Sequence, residues 1–499
     1  MSRINTNVTS LIAQRVLGLN SVGLTRSLER LSTGLKINRG KDDPAGLIAS
    51  ENLRSDMKAI GAAISNAERA DQVVNIAEGG LQEVSSLLTE LQGLVTATAS
   101  KAGLSDAERE ANQLQIDSIL QTIDRIASST SFQGIKLLNG NFDYKVENVD
   151  SGVTDYRVNG AKFSGDSLAV DVVVTGSAQQ AGLFLSFDGA AIDLNATSSF
   201  TFEIAGSLGS RELTFSSGTT LASIEAAINS FTDVTGVTAT ASGTGIKLTS
   251  DSFGSDEFVT VTVTDDGGAA GDGIFQLAAA NFNASQTSGA TTFATSDNGI
   301  TDEGVDLGAT INGIAATSKG KTARINTDFL DVSVTLDTTT AQSLAAVDAF
   351  DISGGGADFQ LAAKVDIAGK VSMGVSDVAT RKLGNSDVGF LDDLGSGKDF
   401  NVVAGTDLNG AQKVISEAIE QVSALRGRLG AFQKNTVGAT IRSLGISAEN
   451  TAAAESVIRD ADFAAETAQL TRSQILVSAS TNVLALANTQ PQTVLQLLG

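Results

Sequence analysis

The chain has 499 residues, a formal net charge of −23, and neither histidine nor cysteine. A chain of this length can bury a large core in more than one domain, but without imidazole or thiol it cannot assemble the usual zinc sites, a Cys–His pair or a Ser-His-Asp triad. Carboxylates and lysines leave acid/base or Schiff-base chemistry open in principle, yet no spacing suggests either, so the expectation is a protein that is not an enzyme and uses no cofactor or metal.

The first twenty residues hold Arg3 and Arg15 among scattered apolar positions, with no continuous apolar run and no cleavage site, so they do not read as a general secretory signal. Residues 1–40 are locally basic, with Arg26, Arg30, Lys36 and Arg39 against Glu29, but contain no aromatic side chain for base stacking. They read as a solvated helix face, and no nucleic-acid partner is expected. No run of eighteen apolar residues occurs, so no membrane insertion is expected either. Leu24, Leu28, Leu31 and Leu35 form an apolar set at helical spacing, broken by "GKDDPAG", which contains Pro44, one of only two prolines.

From Leu53 the steps of 3 and 4 resume through Met57, Ile60, Ile64 and Ala67, then Val74, Leu81, Leu88, Leu91 and Val95. This is a coiled-coil seam on which Asp71 and Glu78 also fall. Ser105 and Glu108 fit a capping box ahead of a second helix carrying Ile116, Leu120, Ile123 and Ala127. "STSFQGIKLLNG", 129–140, has Gly134 and the Asn139-Gly140 pair as turn signals around a short apolar strand.

The middle is different. Residues 150–400 hold 32 acidic against 12 basic residues, so the acidity is concentrated there. "SLAVDVVVTG", "FVTVTVTDDGG" and "FLDVSVTLDTTT" read as short strands between Gly, Asp and Ser turns, with "LASIEAAINSF" (221–231) as the clearest helix and "GVTATA" and "GIKLTS" as strands after it. The acidic loops 264–273 and 296–308 match no calcium-binding pattern and read as solvated turns, and "SGGGAD" (353–358) opens no helix that would cradle a phosphate. Abundant Ser and Thr make surface O-glycosylation possible without confirming it. "FQLAA" recurs at 275 and 359, a weak hint of duplication, and residues 265–400 have no fold assignment from the sequence.

Helical spacing returns at Leu408, Ala411, Ile415, Ala418, Val422, Leu425, Leu429 and Phe432, and a last set, Ile475, Leu476, Val483 and Leu486, lies near the C-terminus. Narrow seams need partner helices. The expected fold is therefore α+β: a discontinuous coiled-coil bundle of N- and C-terminal helices, with a β-rich inserted outer region that leaves and re-enters the bundle at adjacent points.

Four stretches carry a family resemblance: "LSTGLKINRGKDDPAGLIAS" (31–50), "SFQGIKLLNG" (131–140), "SAENTAAAESVIRDADFAAE" (447–466) and "ALANTQPQTVLQLLG" (485–499). Together they resemble bacterial flagellin over about residues 1–145 and 402–499, and 202–250 resembles the insert module named for its Ile-Asn pair, here Ile228 and Asn229. The resemblance implies a structural subunit that polymerises into the helical filament for swimming, secreted and extracellular. The alternatives are a minor flagellin or a hook-filament junction protein, and an adhesive role for the insert. It implies residues 1–44 and 450–499 as a coiled-coil layer lining the filament core, 45–145 and 402–449 as a helical bundle with a β-hairpin, and 146–401 as a variable surface insert. Gly40, Asp42, Asp43, Pro44 and Gly46 would form the spoke between the two helical layers; a plain surface loop has the same composition. Implied partners are the chain itself, a flagellar export chaperone gripping about 470–498, the type III export apparatus, and the hook-associated junction and cap proteins. Some flagellins carry a metalloprotease in the insert; that needs HExxH, which a chain without histidine lacks.

A filament needs a heterologous contact that does not close. The candidate self-assembly residues are Leu24, Leu28, Leu31, Leu35, Ile475, Leu476, Val483 and Leu486, expected to remain poorly ordered in the monomer and to fold when neighbouring subunits complete their seams. Acid is expected to loosen the polymer only through carboxylates, since no histidine titrates. Many flagellins are sensed by a Toll-like receptor through a segment resembling QRxREL. The corresponding stretch here is "TELQGL" (89–94), where Glu90 and Gln92 replace both arginines and Leu94 remains, so poor receptor activation is expected.

Overall fold

The computed structural model describes residues 6–498 except 101–102, 164, 196–197, 272, 277–290 and 404–406. Of the stretches singled out above, Arg3, Asp272, Gly499 and residues 277–279 of the first "FQLAA" lie outside the described residues. The helices are α1 (Val8–Thr33), α2 (Pro44–Thr98), α3 (Asp106–Ser129), α4 (Leu221–Asn229), α5 (Thr232–Thr235), α6 (Thr338–Gln342), α7 (Leu408–Ala431), α8 (Gly438–Arg459) and α9 (Phe463–Leu498). Long helices at both ends with antiparallel sheets between them are the α+β arrangement expected from the sequence. Contacts divide the chain into two units: residues 1–72, 359–369 and 431–499 form the first, and residues 73–358 and 370–430 the second.

On α2 the buried positions are Ser50 and then Ile60, Ala63, Ala67, Ala70, Val74, Ala77, Leu81, Val84, Leu88, Leu91, Val95 and Thr98, which from Ile60 onward are an unbroken alternation of steps of 3 and 4. That is the heptad seam expected, but the small residues Ala70 and Ala77 occupy the positions assigned to Asp71 and Glu78. Each carboxylate sits one residue off the seam, where it can keep water and find a partner. Asp71 accepts a hydrogen bond from Gln433 at 2.9 Å in the first unit, and Glu78 pairs with Arg426 at 2.8 Å in the second. In the second unit, α3 buries Ile116, Leu120, Ile123 and Ala127, and α7 buries Ala411, Ile415, Ala418, Val422, Leu425 and Leu429. The expected capping box is present: the Ser105 hydroxyl accepts from the Glu108 amide, and the Glu108 carboxylate from the Ser105 amide at 2.7 Å. Ser131–Phe132 and Ile135–Lys136 form a two-residue hairpin whose turn places Gln133 and Gly134 at positive φ. Gly80 on α2 leaves the space that Leu138 and Thr130 fill: a Cβ there would lie 2.8 and 2.9 Å from them.

The β-rich part of the second unit contains two sandwiches, one nested in the other. The inner one packs a five-stranded sheet, in order Ile314–Ala315, Gly308–Ile311, Leu168–Gly176, Ala346–Gly355 and Tyr144–Glu147, against a four-stranded sheet, in order Thr317–Lys319, Thr322–Asn326, Leu330–Leu336 and Val153–Ala161. Its core includes Val170, Val172, Ile311, Val332, Val334 and Phe350. The outer sandwich leaves after Gly176 and returns at Gly308, residues paired side by side on adjacent strands, as a compact insertion must. Its sheets are ordered Gly273–Gln276, Gly182–Ser186, Gly245–Ser250, Val237–Ser242 and Ile300–Glu303, Phe258–Asp265, Ser199–Gly206, Gly209–Ser216, with α4 also packing into the shared core. Ser199–Gly206 shows why: its alternation sends Phe200, Phe202 and Ile204 inward and Thr201 and Glu203 outward. Phe187, Phe200, Phe202 and Phe293 form an aromatic cluster with neighbouring ring centroids 5.1–5.4 Å apart. Phe200→Ala is expected to cost about 3–5 kcal/mol, read as an earlier denaturant transition of the outer sandwich with helix content unchanged.

Of residues 265–400, which the sequence left unassigned, the described strands up to Gly355 complete both sandwiches, while Ala357–Gln360 with Lys370–Met373 and Gly384–Asn385 with Gly389–Phe390 form separate two-stranded hairpins. The inner sandwich meets α7 where Arg157 donates to Glu417 at 3.0 Å, and the Gly384–Asn385/Gly389–Phe390 hairpin meets it where Gln421 donates to the Gly384 carbonyl at 2.8 Å while accepting from its amide at 3.1 Å. Arg428 donates to Asn159. Burial pushes its guanidinium pKa down, with Asp331 acting against the shift. The 296–308 stretch, read from the sequence as a solvated turn, contains the paired strand Ile300–Glu303, and two of its carboxylates accept from backbone amides: Asp302 from Gly182 at 2.8 Å, and Asp306 from Gly320 at 2.7 Å. Among the described residues no group of three or more acidic side chains is arranged to hold a metal ion, and no helix is long and apolar enough to cross a membrane.

Candidate functional site

The first unit places α1 and α9 against each other, antiparallel. Their register is read from four polar contacts along the pair. Asn7 donates to the Ala487 carbonyl at 2.8 Å, Ser10 to Asn488 at 2.7 Å and Asn20 to Ser480 at 2.7 Å, and Arg30 pairs with Glu466 at 3.6 Å. The base of the pair is closed by a short bridge between Leu35 and Asp460, with the Lys36 amide donating to the Arg459 carbonyl at 2.7 Å and the Ala461 amide to the Gly34 carbonyl at 2.9 Å. Gly34 ends α1 at φ 74, a left-handed cap that glycine adopts without strain.

What this pair buries is unusual. Among the residues whose side chains are described, the buried positions are Ser10, Ala13 and Ser27 on α1 and Ser473, Ser480 and Ala487 on α9, each set at heptad-compatible spacing. Leu17, Leu24 and Leu31, with Leu470, Val477 and Leu484, are only half-buried beside them. Small seam residues let two helices approach closely but remove little apolar area from water. A second set of large side chains points the other way. Leu11, Leu19 and Val22 on α1 are 57%, 68% and 60% exposed, and Ile475 and Leu486 on α9 are 64% and 66% exposed.

The eight candidate assembly residues therefore separate. Leu24, Leu31 and Leu35 are half-buried, the first two along the α1–α9 seam, while Leu28, Ile475, Leu476, Val483 and Leu486 face solvent. The sequence reading missed Val8, Leu11, Ile12, Val16, Leu19 and Val22, all exposed. Their signal is a second apolar stripe in the first 22 residues, out of phase with the seam that holds Ser10 and Ala13. These exposed apolar side chains lie on both terminal helices at once.

The break between α1 and α2 is built as a turn and cap. Arg39 donates its amide to Asp42 at 3.1 Å, Pro44 opens α2, and Asp43 accepts from the Gly46 amide at 2.9 Å as the N-cap. Gly46 sits closely packed, since a Cβ there would lie 2.6 Å from the Asp43 carboxylate and 2.7 Å from the end of the buried Ile37 side chain. Gly40 is exposed. On α2, Glu90 is exposed and Gln92 and Leu94 are half-buried, with Leu91 on the buried seam between them.

Comparison with known proteins agrees with this arrangement. Three family descriptions match: the bacterial flagellin N-terminal helical region over residues 4–143, the bacterial flagellin C-terminal helical region over 412–498, and the flagellin hook IN motif over 199–252. A flagellin of Salmonella rubislaw is 30% identical over 521 aligned residues, covering 99% of each chain. Flagellin B of Vibrio anguillarum is 28% identical, also over 99% of each chain. A solved structure of FliC from Burkholderia pseudomallei, 15% identical and covering 73% of this chain and 99% of that one, superposes at a TM-score of only 0.24, at which the likeness decides nothing. Helical regions matched at both ends, a recognised insert motif, and full-length identity to a flagellin make this chain a member of the bacterial flagellin family.

Proposed function

We propose that the chain is the repeating structural subunit of the bacterial flagellar filament, an extracellular appendage used for swimming. The observation that carries this reading is the distribution of apolar side chains on α1 and α9: the intramolecular seam holds small residues, while leucine, isoleucine and valine are presented outward from both ends of the chain. A second copy seated on that face buries them, and a contact that joins different surfaces through a rotation that does not close lets addition continue as a filament. In this reading residues 1–44 and 450–499 line the filament core, 45–145 and 402–449 form the helical layer outside it, and 146–401 decorate the surface. Gly40, Asp42, Asp43, Pro44 and Gly46 make the spoke between the layers.

The same reading places the subunit among flagellar partners: a chaperone holding about residues 470–498 before export, the type III export apparatus, and junction and cap proteins at the filament ends. A chaperone fits because the exposed apolar face of α9 needs cover wherever polymerisation is premature. The test is electron microscopy of the purified protein after salt-induced assembly. Long helical filaments are the expected result, and a protein that stays monomeric or forms only amorphous aggregate contradicts the reading.

Receptor recognition follows from α2. Glu90 puts a negative charge, and Gln92 no charge, where the related segment carries two arginines. Removing one partner of a close charge pair costs about 2 kcal/mol or more, which is about 30-fold in affinity. In a reporter-cell assay the native chain is expected to be a weak agonist, and Glu90→Arg combined with Gln92→Arg to gain at least that factor. Equal potency of the two contradicts the assignment.

A further inference from the structure

Residues 359–369 form a loop with more internal order than its exposure explains. Leu361 is buried, and its amide donates to the Gly369 carbonyl at 3.0 Å. The Gln360 side-chain amide crosses the loop to the Ala362 carbonyl at 3.0 Å and the Lys364 carbonyl at 2.6 Å, and Asp366 accepts from the Gly369 amide at 2.7 Å. Two contacts hold it to the rest of the first unit: Asn66 of α2 donates to the Gln360 carbonyl at 3.4 Å, and the Phe359 and Phe432 rings lie 5.7 Å apart. Six residues are thus fixed by hydrogen bonds, and at their tip they hold Val365, 87% exposed, and Ile367, 49% exposed. A polar tip would serve a plain connection; a fixed apolar tip has the form of a knob.

The first unit also carries a shallow recess, open to solvent, on one face of α2. Met57, Lys58, Gly61, Ala62 and Ser65 line it, together with Arg54 and Glu51, which pair with each other at 2.9 Å and so leave Lys58 as its remaining cation. Small residues form its floor, and a Cβ added at Gly61 would meet nothing within 4 Å. Met57 supplies an adaptable apolar wall, and Lys58 offers a cation to Asp366, which neighbours Val365 at the tip.

We propose that Val365 and Ile367 of one copy dock into the α2 recess of a second copy, adding a contact made by the insert to the contacts made by the terminal helices. The proposal rests on the filament reading, which supplies the second copy. Knob and recess are different surfaces of one chain, so the contact is heterologous and compatible with an open polymer. The Asp366–Lys58 pair sets which face docks.

The chain has no native cysteine, which makes the test direct. Val365→Cys and Ala62→Cys chains are mixed, co-assembled and mildly oxidised. The expected product is a disulfide-linked dimer on a non-reducing gel, formed in mixed filaments and not in the unassembled mixture or in filaments of either variant alone. Mixed filaments of normal appearance that yield no dimer overturn the proposal, whereas failure of the unaltered chain to form filaments overturns the filament reading instead. A second measurement uses charge. Asp366→Lys and Lys58→Glu are each expected to lower the filament melting temperature by roughly 2–4 °C, and the double variant to restore it. Single variants that melt like the unaltered filament, or a double variant as weak as the singles, also overturn the proposal.

Discussion

Removing residues 463–499, or residues 1–34, is expected to abolish filament formation while the second unit stays folded. The cores of both sandwiches are drawn entirely from residues 144–352, and the buried stripes of α3 and α7 lie outside the deleted segments. Neither core loses a side chain. The proposed assembly surface, in contrast, loses the apolar residues of one of its two helices in either truncation, and the remaining helix loses its partner in the polar contacts made by Asn7, Ser10, Asn20 and Arg30. Electron microscopy should show no filaments from either variant under conditions that assemble the intact chain. The β-sheet signal in circular dichroism and the main denaturant transition should be preserved. Filaments from a truncated chain would mean that the terminal helices are dispensable and that assembly runs through another surface.

The second large effect separates the two faces of the terminal pair. Ile475→Asp and Leu486→Asp place a charge on the outward face, where the native side chains are about two-thirds exposed in the isolated chain. The monomer should tolerate both, since nothing buried is disturbed. The polymer should not. Burial of a side chain of this size is worth about 1.5–3 kcal/mol, and an aspartate in its place adds the cost of desolvating a charge. At tenfold per 1.4 kcal/mol, the critical concentration for assembly should rise by roughly 10- to 100-fold or more for each. Ser480→Ala, on the seam, should leave assembly close to normal and cost about 1 kcal/mol in the α1–α9 pair through its lost hydrogen bond with Asn20. Critical concentrations measured by sedimentation distinguish the two faces: equal effects from seam and outward substitutions would contradict the division.

Much of the helical architecture was legible because its signals are local. The heptad steps on α2 and α7, the Ser105–Glu108 capping box and the Asp43-Pro44 helix start all act within a few residues, and each stands where the sequence put it. The reading of α2 slipped by one residue at Asp71 and Glu78 because Ala70 and Ala77 are small enough to be passed over, although alanine is a normal seam residue where helices approach closely. The terminal site was harder for the same reason. Leu24, Leu28, Leu31 and Leu35 follow steps of 3 and 4, but the seam itself is marked by Ser10, Ala13 and Ser27, so a search for leucine spacing mixes the half-buried stripe with the outward one.

The nested sandwiches were not legible in order, although most of their strands were. Strand pairing such as Val170 with Phe350 joins residues 180 positions apart, and alternation along one strand says which face is buried without saying which strand lies beside it. Nor does periodicity reveal the loop at 359–369, whose order comes from side-chain-to-backbone bonds of Gln360 and Asp366.

The central claim is that the terminal helices are completed by neighbouring copies. Hydrogen exchange of the backbone amides of α1 and α9, compared between monomer and filament, tests it most directly. Because their seam holds Ser10, Ala13, Ser27, Ser473, Ser480 and Ala487, too little apolar area is buried to offset the entropy of ordering two long helices. Residues 8–33 and 463–490 should exchange within seconds to minutes in the monomer and become strongly protected on assembly, while the sandwich strands remain protected in both states. Terminal helices already as protected in the monomer as in the filament, or still unprotected after assembly, would contradict the account.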